Sequence, residues 1–103
     1  MDVRRIQLVY FAGCPNVDTT RELLRDALRG FNGIDYSEVD TSASDAPEDL
    51  RQWGSPTILV DGKDVAAEPP SGRCCRLYEE HDTRGRGVPA MDLIVRALAK
   101  EPR

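Results

Sequence analysis

The spacing of hydrophobic and polar positions changes several times along the chain, and each change marks an element. Residues 5–11, RIQLVYF, are short and rich in β-branched and aromatic side chains, which predicts a largely buried strand. From Pro15 to Gly30 the period becomes helical. Val17, Leu23, Leu24, Ala27, Leu28 and then Phe31 line one side, and Arg21, Glu22, Arg25, Asp26 and Arg29 take the other. Gly30 and Gly33 can end that helix. IDYSEVD, 34–40, alternates Ile34, Tyr36 and Val39 with polar residues and predicts a second strand.

TSASDA then reads as a loop, and PEDLRQW as a short helix with Pro47 in its first turn and Gly54 as its breaker. PTILV predicts a third strand, and Asp61–Gly62 is a hairpin signal returning the chain as a fourth, KDVAA. The stretch from Glu68 to Gly87 carries no clear period, with a short helix or strand around Cys75 to Glu80 and a flexible basic loop at TRGRG. PAMDLIVRALAK closes the pattern as a helix, Pro89 near its start and Ala90, Ile94, Ala97 and Leu98 on one side. Each helix has one apolar stripe to bury, so an α/β domain built on a small mixed sheet follows.

At 103 residues the chain forms one domain, 1–103, large enough for a core without disulfide staples. A net charge of −4 disfavours a nucleic-acid partner that must be bound through its phosphates. No apolar run approaches the roughly 20 residues that span a bilayer, so no membrane partner is expected. Arg4 and Arg5 followed by IQLVYFA and Cys14 imitate a lipoprotein signal. That apolar run sits at the lower limit of about 7–15 residues and contains Gln7, so a cytoplasmic location is expected. Three cysteines, Cys14, Cys74 and Cys75, are too few and badly spaced for a secreted disulfide framework.

Cys14 stands where the first strand hands over to the first helix. Unpaired amides and the positive end of the helix dipole favour an anion there, and a thiol at such a position can ionise well below its ordinary pKa of about 8.5. The thiolate is the form that attacks disulfides and binds soft metals. The plainer alternative is a small buried hydrophobe.

The element order βαβαββα, with GCP at the first strand-to-helix junction and GSPTILVDG opening the third strand, resembles the thioredoxin-like fold family. The resemblance covers residues 3–67 and the last helix. It implies a four-stranded mixed sheet flanked by helices, a cis-proline at Pro56 beside the reactive cysteine, and thiol–disulfide exchange at Cys14. Pro15, Asn16, Asp18 and Ser55 flank these landmarks and are candidates for substrate contact. The chain departs from the Cys-x-x-Cys pattern, because Val17 stands where the second thiol would be. Cys14 then works alone, as in monothiol glutaredoxins, or draws a second sulfur from Cys74 or Cys75. The expected partners are protein or small-molecule disulfides and thiols, with no resident cofactor.

The adjacent Cys74 and Cys75 bridge each other only with strain. Together with Cys14 they could hold a soft ion such as mercury, copper(I) or zinc, and a binding module of that kind is the alternative function. The Cys-Cys pair, and the aspartate closely following Cys14, are also similar to organomercurial lyases, in which two thiolates hold the metal and a carboxylate delivers a proton. By that resemblance Asp18 is the proton donor, although the spacing differs and the N-terminal domain of those enzymes has no counterpart here. Read from the residues alone, Asp18 complements the helix dipole, and Cys74 and Cys75 pack on a buried turn. His81, in YEEHD, reads as solvated.

Overall fold

The computed structural model describes residues 5–31, 34–70, 72 and 74–99. Its main sheet has four strands: β1 (Ile6–Tyr10), β2 (Ser37–Asp40), β3 (Thr57–Val60) and β4 (Lys63–Asp64), in the order β2-β1-β3-β4. β1 runs parallel to β2, from Gln7 opposite Ser37 to Tyr10 opposite Asp40, and antiparallel to β3, from Ile6 opposite Val60 to Val9 opposite Thr57. The parallel pair needs a crossover, and α1 (Val17–Leu28) supplies it. A second helix, α2 (Met91–Ala99), ends the described chain. The protein is therefore a mixed α/β domain with a four-stranded mixed sheet and two helices.

Strand alternation divides the core. Ile6, Leu8, Ile58 and Val60 point to one face, where Val17, Leu23, Leu24, Ala27 and Leu28 of α1 and Ile94 and Leu98 of α2 close over them. Val9 and Leu59 point to the other face, where Leu50 is buried against them and Val39 and Trp53 pack alongside. Burying a leucine of this kind contributes about 1.5–3 kcal/mol before ordering costs.

Several elements differ from expectation, each for a local reason. PEDLRQW forms only a 3-10 turn, Glu48–Leu50, since Leu50 and Trp53 give it too little apolar surface for a longer helix. β2 begins at Ser37, with Ile34 and Tyr36 packed against the main core ahead of it. The Asp61–Gly62 turn has positive φ at both residues, 53° and 83°, as a tight hairpin demands, but β4 keeps only Lys63 and Asp64. TRGRG is not a loose loop. Residues 81–89 fold into a hairpin of β5 (His81–Asp82) and β6 (Gly85–Pro89), held to neighbouring chain by Tyr78 N–H to the Arg86 carbonyl (2.8 Å) and Ala90 N–H to the Glu80 carbonyl (3.0 Å). Pro89 thus ends a strand, and α2 starts at Met91. Gly33, read as a helix stop, lies outside the described residues. No helix among the described residues is long and apolar enough to cross a membrane.

Candidate functional site

Residues 11–16 join β1 to α1 and carry the first thiol. The loop is tied down at two points: Phe11 N–H donates to Ser55 Oγ (3.3 Å) and Ala12 N–H to Ser42 Oγ (3.1 Å). Gly13 takes φ 88°, a region where a side chain would be strained, and Cys14 N–H then closes the turn onto the Phe11 carbonyl (3.3 Å). Cys14 is half-buried against the core face that carries α1 and α2. Pro15 follows, and Asn16 is the cap residue, so the thiol lies just ahead of the first helical turn. The Asn16 side chain makes no capping bond. Instead it lies against β6, where a Cβ added to Gly87 would come within 2.1 Å of Asn16 Nδ2. Asp18, on the exposed side of that turn, pairs with Arg21 (2.6 Å). Arg21 also donates to Glu38, a hydrogen bond that holds the Glu38 carboxyl below its usual range.

The Ser55–Pro56 peptide bond is cis and immediately precedes β3. Ser55 is fully buried, and three of its polar groups are bonded. Its N–H donates to the Cys74 carbonyl (2.8 Å), its carbonyl accepts from Arg76 N–H (2.9 Å), and its hydroxyl accepts from Phe11. Ser55 and Cys75 therefore form a parallel bridge, and residues 74–76 run as an extra strand segment beside the start of β3. Close approach is possible because residue 54 is glycine: a Cβ there would sit 2.8 Å from the Cys74 carbonyl oxygen and 2.7 Å from Arg76 Cγ.

Arg76 anchors this segment and was not legible as a buried residue. Its guanidinium forms a bidentate pair with Asp64 (2.9 and 3.0 Å), donates to Thr57 Oγ1 (3.0 Å), reaches Glu68 (3.4 Å) and stacks over the Tyr78 ring (4.4 Å). Burial alone would lower the Arg76 pKa, but Asp64, Tyr78 and Glu68 together outweigh it and hold the charge. Tyr78 is itself buried, donates its hydroxyl to the Pro56 carbonyl, and has its pKa raised by that burial.

The same anchor orients the two adjacent cysteines. Thr57 and Asp64 are paired in the sheet with Val9 and Leu59, so Arg76 lies on the face that carries Leu50 and Trp53. Side chains alternate along an extended segment, which puts Cys74 on the side of Arg76 and Cys75 on the opposite side. As Ser55's bridge partner, Cys75 shares the side of the Ser55 hydroxyl that holds the Phe11 loop. Both adjacent cysteines are exposed, which corrects the reading of a buried turn, and no disulfide joins any of the three.

Among the described residues, no group of three or more His, Cys, Asp or Glu side chains is gathered to hold a metal ion. His81 is exposed on β5, its Nδ1 2.9 Å from the Asp82 carbonyl. A shallow depression of about 280 Å³ is lined by Leu77, Tyr78, Glu79, His81 and Arg86, none of them a cysteine. Comparison with known proteins finds no match: no family model fits the chain, and no curated protein or solved structure is significantly similar to it.

Proposed function

We propose that the protein is a thioredoxin-like thiol–disulfide oxidoreductase in which Cys14 is the attacking sulfur and Cys75, rather than Cys74, is the second one. The single observation that supports this most is the Ser55–Cys75 bridge, which ties the later cysteine to the residue that also holds the Cys14 loop. The strand order β2-β1-β3-β4, with Cys14 after β1 and a cis-proline before β3, fits the same reading.

The chemistry is two thiol exchanges. The Cys14 thiolate attacks one sulfur of a disulfide, forming a mixed disulfide and releasing the other half as a thiolate that takes up a proton. The Cys75 thiolate, or an external monothiol, then attacks Cys14 Sγ and releases the second half. The substrate gains two electrons, and the chain is left either as a Cys14–Cys75 disulfide or with Cys14 in a mixed disulfide with the external thiol. Two equivalents of a monothiol such as glutathione return the first form to the dithiol and one equivalent returns the second to the free Cys14 thiol, each releasing the monothiol's disulfide.

The test is glutathione-coupled reduction of 2-hydroxyethyl disulfide, with mass spectrometry of the trapped adduct. Cys14→Ser is expected to abolish turnover and the adduct. Cys75→Ser is expected to accumulate the Cys14 adduct, and Cys74→Ser to behave as the unaltered protein. Full turnover by Cys14→Ser would refute the assignment.

A further inference from the structure

We infer that residues 74–76 are a built-in strand occupying the edge an extended polypeptide would need beside Cys14, so that the substrate is a small disulfide rather than a protein one. The inference rests on the thiol-exchange reading and adds its substrate class.

An extended peptide docks on a sheet by pairing its backbone with unpaired N–H and C=O groups at a strand edge, and side-chain pockets then add specificity. β4 pairs with β3 only at Leu59 and Val60, with one further bond from Val65 N–H to the Ile58 carbonyl. The Ser55 end of the third-strand segment, next to the Cys14 loop, is thus left uncovered by β4. That is where an incoming strand could bring a disulfide up to Cys14.

The chain fills this position itself. Both backbone groups of Ser55 are bonded, one to the Cys74 carbonyl and one to Arg76 N–H, and its hydroxyl is taken by Phe11. The occupying segment is not loosely laid. Arg76 is buried in its pair with Asp64, and Tyr78 bonds the Pro56 carbonyl from below. Displacing it would expose a paired charge to an incomplete site, which is costly. A small disulfide needs no backbone pairing and can approach the half-buried Cys14 from solvent, and Cys75 is exposed as well.

The experiment compares, for the full chain in glutathione, the rate enhancement over glutathione alone for 2-hydroxyethyl disulfide and for insulin. The expected enhancement for the small disulfide exceeds that for insulin by at least about tenfold, the order expected when two backbone hydrogen bonds cannot form. Hydrogen exchange is expected to find the Ser55 and Arg76 amides protected with and without insulin present. Equal or greater enhancement for insulin overturns the substrate class while leaving thiol exchange intact. No enhancement for either substrate overturns both. Gly54→Ala, whose methyl would push on the Cys74 carbonyl, is expected to shift the ratio toward insulin if the variant folds. Loss of Ser55 and Arg76 protection in that variant with no shift in ratio also overturns the inference.

Discussion

The two faces of the sheet are covered by different means. On one, α1 and α2 lay continuous apolar stripes over Ile6, Leu8, Ile58 and Val60. On the other, a single 3-10 turn brings Leu50 and Trp53, and the remaining cover is polar: Arg76 paired with Asp64 and bonded to Thr57, with Tyr78 beside it. The apolar face is tolerant, because many contacts share the load. The polar face is concentrated, because one guanidinium serves four partners and its loss leaves the buried Asp64 carboxylate without a counter-charge.

That difference can be broken from either side, and the largest effect is expected at Arg76. Arg76→Ala leaves Asp64 buried and uncompensated and should cost about 3–5 kcal/mol in urea unfolding. A loss below about 1 kcal/mol would mean the pair holds nothing. On the opposite face, Leu24→Ala should cost about 2–5 kcal/mol, while leaving the amide protection of Ser55 unchanged. A loss of that protection would tie the two faces together.

Tyr78→Phe is a finer probe. It removes one hydrogen bond, at about 1 kcal/mol, and it changes the alkaline limb. The folded-state pKa of Tyr78 is raised above 10.0, so the folded chain holds its proton more tightly than the unfolded one. Its contribution is complete below pH 10.0 and is lost as pH rises beyond it, so the variant should lose stability less steeply there. An identical slope in both proteins would place the alkaline sensitivity elsewhere.

The smallest effect is expected at the surface. Glu38 has a lowered pKa, chiefly through Arg21, so its contribution is present above its ordinary value of 4.5 and lost as pH falls through the folded value. Glu38→Gln should cost at most about 1 kcal/mol at neutral pH and nothing in acid. A uniform loss at every pH would assign the effect to packing.

What could be read from the sequence follows the same division. Leu23, Leu24, Ala27 and Leu28 announce their face by period alone, and Asp61–Gly62 announces its turn because few dipeptides accept positive φ twice. Cys14 stood out because it sits at an element boundary, and Pro56 through the resemblance that its place at the start of the third strand carries. Arg76 did not, since nothing local distinguishes an arginine that will be buried from the many that stay in water. Its fate is set by Asp64 and Thr57, distant in sequence. The 81–89 hairpin was equally hidden: Gly85 and Gly87 argue against a strand, and pairing between β5 and β6 together with bonds from Tyr78 and Ala90 holds the segment extended. That Cys74 and Cys75 take opposite sides follows from simple alternation, but Arg76 was needed to fix the phase.

Gly87 shows how far the thiol loop's surroundings extend. A lone hydrogen there leaves just enough room for the Asn16 carboxamide to rest on bare backbone, so β6 acts as a stop for the first turn of α1. Even one added methyl would have to be absorbed by moving Asn16, and Cys14 lies upstream on the same short connection. Substitutions in a hairpin that adds nothing to the main sheet can therefore displace the connection that carries Cys14 without touching that residue.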